Sequence, residues 1–243
     1  LNGEPRYQKP PLPTWLSAGS ALLFGVKSVF AMRIPAAIIT IVLILISYTF
    51  TKKLTGNIRY AFISSLILAT SFFIVFSGRN GQWDIFTHGF MMAAIYQFYL
   101  FFSTPEKKYQ RMLLAALFFG CSFMSKGPVS LYALLLPFLI AYGFVFKVKK
   151  GTKSVLPLLL FLVVSLLLSG WWHIYTYLLD PQQVIATTTK ETTNWTSYNV
   201  RPFYYYWSFF IQSGIWCIPA FISLLYPYLK NKVFFKKGYQ FTL

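Results

Sequence analysis

Six charged residues stand at the edges of long apolar stretches: Lys9, Arg79, Asp84, Lys126, Glu191 and Arg201. Ionised groups in that position are functional candidates by default. Lysine meets a phosphate as a point charge, and arginine meets it as a bidentate fork. A carboxylate beside such cations can take a proton from a hydroxyl, or hold a metal or sugar hydroxyls. Arg79 and Asp84 share one short connection with Asn80 and Gln82, and His88 follows. Lys126 opens the turn Lys126-Gly127-Pro128, and Arg201 precedes Tyr204, Tyr205 and Tyr206. Four cations and two carboxylates around one cavity would make an anion site next to a proton acceptor.

Lys9 lies in NGEPRYQKPPLPTW, residues 2–15, just ahead of Pro10, Pro11 and Pro13. Proline fixes φ and biases the residue before it away from helix, so Lys9 is expected on stiff, extended backbone. Pro13 and Thr14 suit the first turn of a helix running through Trp15, Leu16, Ala18 and Leu22 towards Gly25. That helix is too short to cross a bilayer and is expected at the membrane surface.

Simpler readings stand beside these. Arg79 and Asp84 can pair with each other alone, and Lys126 can snorkel from a helix end. His88 can be a packed, hydrogen-bonded residue of an apolar helix. His173, after Trp171 and Trp172, and the Tyr204–Tyr206 run fit an aromatic interface belt. Asn194-Trp195-Thr196 matches an N-glycosylation acceptor, a pattern common by chance.

The elements that must carry these residues are membrane helices. The chain is 56% hydrophobic and 11% charged, which excludes an ordinary soluble domain. Its net charge of +17 falls in small groups between apolar runs, as membrane topology requires, and not on one nucleic-acid-binding face. Seven spans are expected at residues 33–50, 60–77, 85–102, 111–125, 129–146, 155–172 and 203–228, the fourth and fifth joined as a tight hairpin. The spans are apolar all round, as helices among lipid and other helices are. The expectation is an all-α polytopic protein with one transmembrane domain: residues 1–32 an outer-face loop and interfacial helix, 33–228 the bundle, 229–243 a cytoplasmic-side tail.

Alternate connections carry Lys52, Lys53 and Arg59, then Lys107, Lys108 and Arg111, then Lys147 to Lys153, then Lys230 to Lys237. The intervening segments hold four of the five acids, Glu4, Asp84, Asp180 and Glu191. The positive-inside rule therefore puts the amino-terminal stretch and all the site candidates outside. Cys121 and Cys217 lie in apolar segments without further ligands at metal spacing, so neither a disulfide nor a zinc site is expected.

Residues 2–16 resemble the NGxPxxxKPPLxYWL segment of the phospholipid-carrier-dependent glycosyltransferases, which include the bacterial lipid A aminoarabinose transferases and relatives of the protein O-mannosyltransferases. Ala31-Met32-Arg33-Ile34-Pro35-Ala36 resembles a recurrent ARLPSA-like segment there. Asp84 in GQWDIF is similar to the family's outer-face aspartate, Ser125-Lys126-Gly127-Pro128 to its TKGP hairpin, and Arg201 to Tyr206, followed by Trp216 and Pro219, to its RPFYYY element. These motifs occur in the family's order and cover nearly the whole chain.

The resemblance implies a GT-C helical bundle with an outward-facing cavity in a bacterial inner membrane. There a polyprenyl-phosphate sugar enters from the lipid and passes its sugar, with inversion, to a lipid, glycan or protein acceptor. It implies that Lys9 holds the carrier phosphate, with Arg201 a second candidate for that task. Asp84 would arrange the cavity or acceptor as the catalytic-site acid, with Lys126, Tyr204, Tyr205, Glu191 and Arg79 lining the substrate. No cofactor or metal is assigned, and a divalent ion is left open. Two departures matter: Gln8 stands where the family carries Glu, and the family's main acid lies in an upstream DExRY motif. The chain begins after that point and is expected to be the central part of a longer enzyme. A carrier or flippase for an anionic lipid, which needs the same cations but no base, is the alternative. A structural membrane subunit is a third class.

Overall fold

The structure, a computed structural model, describes residues 7, 9–146, 155–193, 202, 204–205 and 212–219. Among these the regular elements are helices: α1 (Leu12–Phe24), α2 (Val29–Thr55), α3 (Ile58–Thr70), α4 (Phe72–Asn80), α5 (Trp83–Ser103), α6 (Lys108–Lys126), α7 (Leu136–Phe146), α8 (Val155–Leu179) and α9 (Pro181–Thr193). A π-helical turn, Leu131–Leu135, leads into α7.

Helix α2 explains how the amino-terminal stretch is fixed. Pro35 lies inside it and has no N–H, so the carbonyl four residues earlier, on Ala31, loses its helical donor. The hydroxyl of Ser20 in α1 supplies one, at 2.6 Å, and both residues are buried. The helix-breaking residue of α2 thus becomes the docking point of α1.

The chain expected to span at residues 60–77 is broken. Helix α3 stops at Thr70, and α4 leaves at 57° to it. Ser71 at the break is extended, with φ −66° and ψ 131°. The hydroxyls of Thr70 and Ser71 bond back to Leu66 and Ile67 carbonyls, competing with continuation of the ladder. The Trp216 indole donates to Thr70 Oγ1 at 2.6 Å, bringing residues 212–219 beside the break.

Helix α5 is the axis of the bundle, packed most extensively on α6 and also against α2, while α6 packs on α8. Close crossings set these contacts. A Cβ on Gly89 of α5 would fall 2.4 Å from Ile39 of α2, and one on Gly120 of α6 would fall 2.7 Å from Leu168 of α8. Small residues at crossings are the usual way membrane helices approach. The core between them is aromatic: Phe50, Phe98, Tyr99, Phe119, Phe138, Tyr142 and Phe161.

By length and composition α2, α5 and α8, of 27, 21 and 25 residues, can cross a membrane, and the bent α3–α4 pair is long and apolar enough only when its two helices are taken together. The all-α membrane bundle is as expected, but the spans differ from the seven expected ones. The 111–125 segment extends to α6, which carries Lys108, Arg111 and Lys126 and is sandwiched between α5 and α8. The 129–146 segment is a π turn plus a short helix. Its ring contacts are with α2 and α5, so the arms of the expected hairpin splay apart. Residues 203–228 lie largely outside the described residues.

Candidate functional site

The carboxylate of Asp84 forms an ion pair with the ammonium of Lys126, two residues 42 positions apart in the chain. Asp84 is in the first turn of α5, whose backbone N–H groups point toward it. Lys126 is in the last turn of α6, beside free carbonyls. Each charge complements its own helix dipole as well as its partner. Their side chains remain 26% and 27% exposed, so a ligand can reach the pair.

Glycine makes the Lys126 position possible. Gly127 has φ 76° and ψ −151°, a region essentially confined to glycine. Its N–H bonds Phe123 O at 2.7 Å, so α6 stops at the lysine. Beneath the pair the fully buried Ser122 donates to the Thr87 carbonyl at 2.8 Å and lies 2.7 Å from the Ser130 hydroxyl. A hydroxyl has one hydrogen, so Ser130 is the donor to Ser122. This relay ties α5, α6 and the chain after the turn together in the register that sets Lys126 against Asp84.

Lys9 approaches the start of α5 from the amino-terminal side. Its ammonium lies over the Trp83 ring, 5.3 Å from the centroid, and Trp83 precedes Asp84. Such cation–π contacts hold a lysine head without neutralising it. Trp15 of α1 meets Trp171 and Trp172 of α8 at 6.1 and 5.6 Å, anchoring the same end. His173 packs edge-on to Phe123 there.

Asp84 and Lys126 are thus assembled as a pair, and Lys9 is held on Trp83, the residue before Asp84. Asp84 pairs with Lys126 and not with Arg79, which is exposed in the last turn of α4. The chain reverses at Gly81, φ 64°, with Ser77 bonded to the Gln82 side chain, and this carries Arg79 away. Glu191 lies on α9, whose packing is against α8, and no described contact joins it to the pair. Tyr204 and Tyr205 are exposed on a turn closed by Tyr205 N–H to Pro202 O at 2.9 Å. Arg201, Tyr206 and Asn194-Trp195-Thr196 lie outside the described residues. Among the described residues no three His, Cys, Asp or Glu side chains gather as metal ligands would.

His88 departs from the hydrogen-bonded expectation. It lies one turn along α5 from Asp84, within electrostatic reach of Asp84 and Lys126, yet its Nδ1 is buried without a partner. Asp84, one turn away, is itself engaged by Lys126. Trp83 and the Ser122–Ser130 relay were missed by sequence reasoning. A Trp next to an acid at a helix start was the available signal for the first. Nothing in the spacing of two serines signals the second.

The opposite end of the bundle is basic. Tyr99 OH donates to Lys53 O at 3.1 Å, Arg111 donates to Gln97 at 3.3 Å, and Lys108 covers Phe101. Lys52, Lys53, Lys108 and Arg111 therefore share one end of the molecule and the Asp84–Lys126 pair the other.

Comparison with known proteins places the chain in a family. The family described as dolichyl-phosphate-mannose-protein mannosyltransferase matches residues 8–173. An uncharacterized protein of Aquifex aeolicus is 27% identical over 84% of the chain and 40% of its own length. The undecaprenyl phosphate-alpha-4-amino-4-deoxy-L-arabinose arabinosyl transferase 1 of Proteus mirabilis is 24% identical over 98% of the chain and 43% of its length. The chain thus spans about two fifths of these relatives. The crystal structure of apo ArnT from Cupriavidus metallidurans superposes with a TM-score of 0.67 at 19% identity, covering 96% of this chain and 42% of that one, so the two share the GT-C membrane fold. The matched family model covers well over half of the residues, and the chain, an integral membrane protein, belongs to the dolichyl-phosphate-mannose-protein mannosyltransferase family.

Proposed function

We propose that this chain forms the carrier-binding part of a glycosyltransferase that moves a sugar from a polyprenyl phosphate to an acceptor at the outer face of a bacterial inner membrane. The observation that carries the reading is the Asp84–Lys126 pair, with Lys9 over the adjoining Trp83, at the end of the bundle opposite the basic end. The positive-inside rule assigns the basic end to the cytoplasm and the pair to the outside.

The roles follow from charge. As the bond from the sugar's anomeric carbon to the phosphate oxygen breaks, negative charge grows on the carrier phosphate. Lys9 and Lys126 stabilise that charge more than they stabilise the bound donor, and only such differential stabilisation lowers the barrier. Asp84 holds Lys126 in place as a positioning residue. It is a weaker choice for the base that accepts the acceptor's proton, because its carboxylate is already engaged by Lys126. Arg201 is retained as a second phosphate contact. Arg79, Glu191, Tyr204 and Tyr205 are left to the acceptor side of the site.

The test is transfer by the full-length natural protein in proteoliposomes, using undecaprenyl phosphate carrying mannose or 4-amino-4-deoxy-L-arabinose and offering lipid A or peptide acceptors. The reading requires acceptor-dependent release of undecaprenyl phosphate. Movement of the carrier across the bilayer without loss of its sugar would replace it with a flippase.

A further inference from the structure

We infer that His88 reads the sugar of the donor, contacting a hydroxyl or amino group of the residue attached to the carrier phosphate; this rests on the glycosyl-transfer reading above. Residues four apart share a helix face, so His88 lies on the face of α5 that carries Asp84, one turn deeper in the bundle. Both Asp84 and Lys126 act on its ring electrostatically. Its Nδ1 is nonetheless buried without a hydrogen bond. Native proteins seldom keep such an atom unless a ligand or water uses it.

The neighbouring positions are fully accounted for: Thr87 is engaged by Ser122, and Asp84 by Lys126. His88 is the polar side chain on this face of α5 left with an open valence. In a polyprenyl-phosphate sugar the ring is bonded directly to the phosphate. A phosphate held at Lys126, which meets α5 at Asp84, therefore puts the sugar within reach of the next turn of α5. A neutral imidazole offers one donor and one acceptor, which matches hydroxyl and amino groups. The lysines supply charge to the phosphate, and His88 adds a directional contact to the sugar.

The experiment measures binding of undecaprenyl phosphate alone, undecaprenyl phosphate–mannose and undecaprenyl phosphate–4-amino-4-deoxy-L-arabinose to the full-length protein. Wild type is compared with His88→Phe and His88→Asn. Wild type is expected to prefer one sugar-loaded carrier over the bare one. His88→Phe should reduce that preference by about five- to tenfold, as expected for loss of one hydrogen bond, and leave affinity for the bare carrier unchanged. His88→Asn should retain part of it. The melting temperature of His88→Phe should be no lower than wild type, because Nδ1 gives up no protein hydrogen bond. An intact sugar preference in His88→Phe overturns the inference, as does equal weakening of bare and loaded carriers in both variants. Wild type that binds bare and loaded carriers equally also overturns it, while the carrier reading stands. Wild type that binds no carrier overturns the carrier reading itself.

Discussion

Asp84 and Lys126 form an ion pair that bridges the first turn of α5 and the last turn of α6. Two residues so joined act as one unit. Asp84→Asn and Lys126→Ala should each lower transfer strongly, and the double variant should be little worse than either. A double-mutant cycle on transfer rates should return a coupling of about 1–3 kcal/mol. Additive losses would show that the two residues act separately.

Lys9→Ala should cost transfer at low donor concentration about ten- to hundredfold, the worth of one charge-assisted contact of about 1.5–3 kcal/mol. Lys9→Arg should keep part of the activity, since charge survives while geometry changes. Trp83→Leu should weaken donor binding in the same direction, because the ring beneath Lys9 is removed. A well-folded Lys9→Ala protein with unchanged donor dependence would sink the phosphate assignment.

Ser20→Ala leaves the Ala31 carbonyl buried without a donor and should destabilise the protein by about 1–3 kcal/mol. Pro35→Ala restores an N–H at the position that bonds Ala31 within α2. The double variant Ser20→Ala, Pro35→Ala should therefore melt above Ser20→Ala alone in detergent thermal unfolding. Failure of that rescue would refute the account of how α1 is docked.

Gly120→Ala puts a methyl 2.7 Å from Cβ of Leu168, an atom too close to its backbone to move aside. The α6–α8 crossing must then widen, at about 1–3 kcal/mol for overpacking. Thermal unfolding should show the loss. Gly143→Ala, with open space around it, should show none.

Orientation is tested with single cysteines on a background lacking Cys121 and Cys217. A cysteine at Tyr7 should label from outside intact cells and one at Lys107 should not. Labelling at Lys107 from outside would reverse the assignment of the site to the outer face.

The sequence by itself determined the class of the protein. Long apolar runs leave the backbone no option but helix in lipid, because every N–H and C=O must be satisfied within the segment. It also picked out Lys9, Asp84 and Lys126, because charge beside such runs is costly without a use. The tertiary structure decided which of the charges meet. Asp84 lies five positions from Arg79 yet pairs with Lys126, because Gly81 turns α4 away while α5 and α6 run antiparallel and bring their ends together. Hydropathy averages over a window, so it could not register the break at Ser71 or the splayed arms after Pro128. Contacts between distant small polar residues, such as Ser20 with Ala31 and Ser122 with Ser130, leave no periodic trace in the chain. They exist only once packing has removed water and made each unpaired hydrogen-bonding group costly.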